Sequence, residues 1–118
     1  MKPKDLRLGN LFTEKYSSET IEVIGLSDTV ITFSGDYSMW QYQPILLTKE
    51  WLSSNIKEIE VEGYSMYILI EGSVSLEIYS DCIVLLFGLN EVRFENIKFV
   101  HQLQNLVFGL TNRELETV

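Results

Sequence analysis

Hydrophobic and polar positions mark out several short strand-like runs along this chain, and its longest helical period lies near its end. Leu11–Lys15, Thr20–Leu26 and Thr29–Phe33 are short runs enriched in β-branched and aromatic residues. Gly9-Asn10, Ser27-Asp28 and Ser34-Gly35-Asp36 punctuate them, and runs bounded in this way predict a small antiparallel meander. Pro44 pushes Gln43 out of helical geometry. Thr48 then stands as an N-cap for one or two helical turns through Trp51 and Leu52, with Glu50 near the positive end of the dipole. Lys57–Glu62 alternates strictly, with Ile59 and Val61 on one side and Glu58, Glu60 and Glu62 on the other, the pattern of a half-exposed strand. Glu71-Gly72 separates Tyr64–Ile70 from Ser73–Tyr79, and Ser80-Asp81 separates that run from Cys82–Phe87, spacings that suit tight hairpins. Val74, Leu76 and Ile78 share an inner face. Cys82–Phe87 is apolar on both faces, which predicts a central, fully covered strand with the C-terminal helix as its cover.

That helix occupies Ile97–Leu110, with Asn96 placed to cap it. At 100° per residue, Phe99, Val100, Leu103, Leu106, Val107 and Leu110 fall on one side, and His101, Gln104, Asn105 and Phe108 on the other. No charged residue lies between Lys98 and Arg113, in a chain that is 22% charged. A solvated helix would carry several charges, so both faces are expected to be covered. Thr111 and Glu114 have capping-box spacing for one last turn holding Leu115. The predicted class is α+β: a mostly antiparallel β meander with a short central helix and a long C-terminal helix packed on the sheet.

Length and charge narrow the function. At 118 residues, residues 1–118 fit a single domain that needs neither disulfide nor metal to fold. No apolar run approaches the roughly 20 residues of a membrane span, and Met1–Arg7 is not followed by a signal-like apolar stretch, so the expected setting is cytoplasmic, without a membrane partner. A net charge of −8 argues against nucleic acid as a partner, since phosphate neutralisation needs clustered cations. Between Lys57 and Arg93 there are seven acidic residues and no basic one. The cluster Lys2, Lys4 and Arg7 reads as solubilising.

Three segments, LRLGN at Leu6–Asn10, PILLTKEWL at Pro44–Leu52 and IKFVHQLQNLVFGLTNREL at Ile97–Leu115, occur in that order. Together they resemble a family of short uncharacterised proteins of bacterial genomes, prophages and phages, whose members look like LRIGN near the start, PIPLTEEWL in the middle and VHQLQNLYFALTGEEL in the tail. Val107 and Gly109 depart from the Tyr and Ala usual there, and the Gly-Phe that often follows the central helix is missing. The resemblance implies a mobile-element setting and carries over no catalytic residue.

His101 is the only histidine and Cys82 the only cysteine. One histidine cannot build a His-rich metal site, and the carboxylates lack ligand spacing, so neither metal nor cofactor is expected. Two readings of His101, Gln104, Asn105 and Phe108 stand side by side. They form a hydrogen-bonded cluster fixing the helix to neighbouring loops, or a charge-free interface face with Phe108 at its centre. Tyr37, Trp40 and Tyr42 likewise either plug the end of a sheet or form a stacking wall for a planar ligand. The function expected from these features is a non-enzymatic interaction module that self-associates or takes a protein partner. The alternative is a protein that binds or sequesters a nucleotide-like signal.

Overall fold

A computed structural model describes residues 5–35, 42–56, 59–62, 65–71, 74–79 and 81–117. The fold is α+β, with two antiparallel sheets, a short central helix and a long C-terminal helix. Its contacts divide into two compact units, Met1–Leu46 with Phe99–Leu106 and Leu47–Lys98 with Val107–Val118. Among the described residues no helix is long and apolar enough to cross a membrane.

The first unit holds a four-stranded sheet. Strands β1 (Leu11–Glu14), β2 (Thr20–Leu26), β3 (Ile31–Phe33) and β4 (Tyr42–Pro44) lie in the order β3-β2-β1-β4. Alternation selects the buried face, with Phe12 on β1, Ile21 and Val23 on β2, and Ile31 and Phe33 on β3, joined by Leu6 from the preceding turn. Gly9 has a φ of 91°, which the Arg7–Asn10 turn requires at its third position, and the turn closes through Asn10 N–H to Arg7 C=O. The β2–β3 turn is centred one residue later than its sequence suggests. The Ser27 hydroxyl accepts from Thr29 and Val30 N–H, and Ser27 N–H bonds Val30 C=O. Strand β4 lies in a segment whose sequence does not read as a strand; Pro44 is tolerated because β4 is an edge strand.

Helix α2 (Val100–Thr111) starts later than an Asn96 cap would place it. Phe99 forms a bridge with Leu46, and Val100 N–H bonds Ile45 C=O, so the chain stays extended through Phe99. Gln102 then supplies the cap, its side-chain oxygen accepting from Phe99 N–H at 3.0 Å. At its other end α2 gains no further turn from Thr111 and Glu114. Asn112 adopts a left-handed conformation (φ 57°), its N–H bonding Phe108 C=O, and this ends the helix. Val100, Leu103 and Val107 are buried as expected, Leu106 is half-buried, and Leu110 is 41% exposed.

In the second unit, Thr48 caps α1 (Lys49–Asn55) as its sequence predicts, accepting from Trp51 N–H at 3.0 Å, and Leu52 is buried. A five-stranded meander follows, β5 (Ile59–Glu62), β6 (Ser65–Glu71), β7 (Val74–Ile78), β8 (Ile83–Phe87) and β9 (Asn90–Phe94), in sequence order. Met66, Ile68, Leu76, Ile78, Ile83 and Leu85 are buried on one face. The expectation of a central, fully covered Cys82–Phe87 is corrected. β8 is fourth of five, Val84 and Leu86 are only half-buried, and Phe87 is exposed. Val84 sits opposite Glu77 and Arg93 and Leu86 opposite Ser75 and Glu91, so stems of charged neighbours shade the second face instead of sealing it. The sequence reading has no strand at Asn90–Phe94. Gly88 (φ 62°) and Leu89 make the two-residue turn that adds it.

Candidate functional site

The polar residues of α2 meet the Leu6–Asn10 turn, so the first and last of the three segments that carry the family resemblance converge within the first unit. Gln104 is buried and bridges two main-chain groups: its Oε1 accepts from Leu11 N–H at 2.8 Å and its Nε2 donates to Gly9 C=O at 3.1 Å. Asn105 Oδ1 accepts from both Asn10 Nδ2 (2.8 Å) and Arg7 Nε (3.1 Å). Asn10, fully buried, also uses its Oδ1 to accept from Arg7 N–H at 2.7 Å. Asn105 Nδ2 reaches Asp5 C=O at 3.4 Å. The turn and the first half of α2 are thus stitched together by neutral amides and one guanidinium.

His101 sits beside this lattice. Its ring stacks on Phe12 with centroids 4.9 Å apart and on Phe99 at 5.9 Å. Phe12 is also edge-on to Phe33 (5.7 Å) and to Tyr42 (5.3 Å), so β1 presents one phenylalanine to three other rings. His101 is buried, and among the described residues its Nδ1 has no hydrogen-bond partner. Burial holds the imidazole below its ordinary pKa of 6.5, with the nearby Asp5 charge opposing weakly. The unfolded chain therefore binds the proton more readily than the folded one. Stability from neutral His101 is complete above about pH 6.5 and is lost as pH falls through the depressed folded value. Denaturant midpoints at pH 7.5 and 5.5 are expected to fall further for wild type than for His101→Phe, which keeps the stacking and removes the titration. Equal losses in the two proteins would show that His101 does not titrate against folding.

An open, charge-free face on α2 does not exist at His101 and Gln104, because both are buried within the single chain. Asn105 and Phe108 are half-buried. The physical reason is a tertiary contact. The Gly9–Leu11 main chain, needing partners for N–H and C=O, runs past this side of the helix and takes the Gln104 amide. Of the proposed aromatic wall, Tyr37 and Trp40 lie outside the described residues, and the Tyr42 ring is engaged with Phe12 and, at 4.7 Å, with Phe33.

Arg7 and Asn10 are cluster members that sequence reasoning passed over, one as a solubilising charge and the other as a turn former. Their signal was the charge-free helix itself, whose amides had to find polar partners elsewhere. Cys82 is buried, as its apolar surroundings in sequence suggest. Among the described residues no group of three or more His, Cys, Asp or Glu side chains converges on a common point. Comparison with protein-family models, with curated proteins and with solved structures gives no match to this chain.

Proposed function

We propose that the protein is a non-enzymatic interaction module of the cytoplasm, acting in a phage or mobile-element setting, and that it self-associates through its second unit. The polar cluster around Gln104 and Asn105 is the lock that holds α2 in place rather than the contact surface. The observation that carries the reading is the β8–β9 hairpin. Leu89 is fully exposed at its tip, and Phe87 and Val92 beside it are 37% and 41% exposed. Apolar residues grouped on one exposed hairpin favour a protein contact, where water is excluded and aromatic and aliphatic side chains gain most. The mobile-element setting is supported by the resemblance of the three segments alone.

Light scattering tests this. Wild type at high concentration is expected to show twice the mass of one chain, and Leu89→Ser/Val92→Ser to shift toward a single chain with unchanged circular dichroism. A wild type that remains single at high concentration removes the reading. A double variant that associates like wild type removes the hairpin as its surface.

A further inference from the structure

The second sheet ends in two edges of opposite character, and one of them is complementary to itself. Phe87 and Asn90 flank the Gly88-Leu89 turn, so they form a hydrogen-bonded pair, and the antiparallel alternation makes Leu85–Val92 and Ile83–Phe94 the next two. Asn90, Val92 and Phe94 therefore spend their main-chain groups on β8, while the N–H and C=O of Glu91 and Arg93 point outward. Asn90, Glu91, Val92 and Arg93 are all exposed, so this edge is open to solvent.

We propose that β9 pairs antiparallel with β9 of a second copy, about a twofold axis at Val92, so that two five-stranded sheets join edge to edge. This rests on the self-association proposed above and assigns its register. In that register Glu91 faces Arg93 of the other copy as a hydrogen-bonded pair, and Arg93 faces Glu91. All four outward main-chain groups of each strand find a partner. Val92 meets its own copy at the closer, non-hydrogen-bonded position. Opposite charges directly across a ladder attract, and the Glu-x-Arg pattern makes both cross-strand pairs attractive at once.

Charged edge strands ordinarily deter association, and β5 shows that use: its sequence IEVE holds no cation, so antiparallel self-pairing sets no opposite charges against each other. β9 has alternating signs instead. In the single chain the Arg93 guanidinium lies 3.4 Å from Glu95 and 3.9 Å from Asp81, both well exposed. Exposed pairs of this kind are weakly held and yield readily to a closer carboxylate.

Charge reversal tests the register. Glu91→Lys sets two cations against each other at both cross-strand positions, and Arg93→Glu sets two carboxylates there, so each variant is expected to be a single chain at concentrations where wild type is a dimer. Glu91→Lys/Arg93→Glu restores opposite charges in the reversed sense and is expected to dimerise again. Mixing the two single variants supplies one strand with two cations and one with two anions, and is expected to yield a mixed dimer. All altered side chains are exposed, and circular dichroism would show the fold intact. A dimeric wild type with single variants that stay dimeric overturns this register but leaves self-association standing. Single variants that dissociate and fail to associate on mixing overturn it too, since the effect is then general charge. A monomeric wild type removes both proposals.

Discussion

Replacing Leu103 by alanine is expected to lower the melting temperature by roughly 6–30 °C. Leu103 is fully buried in the middle of α2, between the buried Val100 and His101 at one end and Val107 at the other. Truncating a buried leucine costs roughly 2–5 kcal/mol through lost transfer energy and the cavity left behind. In a domain of this size each kcal/mol moves the midpoint by roughly 3–6 °C. The same helix supplies the control. Leu110 shares the apolar side of the helical wheel with Leu103 but is 41% exposed, so Leu110→Ala is expected to shift the midpoint by only a small fraction of that amount. Thermal unfolding of the two variants side by side decides the matter, and equal shifts would mean that α2 does not pack as described.

Gln104→Leu is expected to be the next most damaging change, although it raises the hydrophobicity of a buried position. Its volume is similar, but Leu11 N–H and Gly9 C=O lose the partners they have at 2.8 and 3.1 Å. An unpaired main-chain group costs roughly 1–3 kcal/mol, toward the lower figure where water reaches it, as it can at the half-buried Leu11 and Gly9. A combined loss of about 2–4 kcal/mol follows from the same range. Gln104→Glu sharpens the test. Its carboxylate still accepts from Leu11 N–H but turns an oxygen toward the Gly9 carbonyl, where only a donor is tolerated. The protonated acid restores a donor, so the folded pKa of the introduced group is raised. Its stabilising contribution is present below the unfolded pKa and lost as pH rises through the folded one. The variant should therefore recover relative to wild type on acidification, opposite in sign to the effect of His101. Denaturant titrations of both proteins from pH 7 to pH 4 measure this, and a variant that follows wild type throughout would separate Gln104 from the main chain of the turn.

Some of this architecture is legible in the residues alone. Alternation in Thr20–Leu26 and Val74–Ile78 places the inward side chains, because a strand has a period of two and one buried face. Thr48 marks the start of α1 because a hydroxyl there can satisfy an otherwise unpaired N–H of the first turn. The absence of charge along α2 matches cover on both sides only over its first turns, where His101 and Gln104 are buried as well as Val100 and Leu103; toward its end Gly109 and Leu110 are exposed. Each of these depends on near neighbours in the chain, and near neighbours are what a sequence displays.

What covers the polar side of α2 depends on residues 93 to 100 positions away, and no local pattern encodes it. Arg7 and Asn10 look like a stray charge and a turn former until the fold carries them to Gln104 and Asn105. The late start of α2 follows from the Leu46–Phe99 bridge, and β4 exists because β1 offers Tyr42–Pro44 an edge to pair with. β9 belongs to the same class, its NEVRF sequence being too polar to announce a strand, yet two-residue closure at Gly88-Leu89 returns it to β8 in register. The periodicity of the chain determined which side chains face inward, since that follows from backbone geometry within each element. Tertiary structure decided which polar groups would be satisfied by which, because a buried N–H or C=O takes whatever partner the fold brings within about 3 Å.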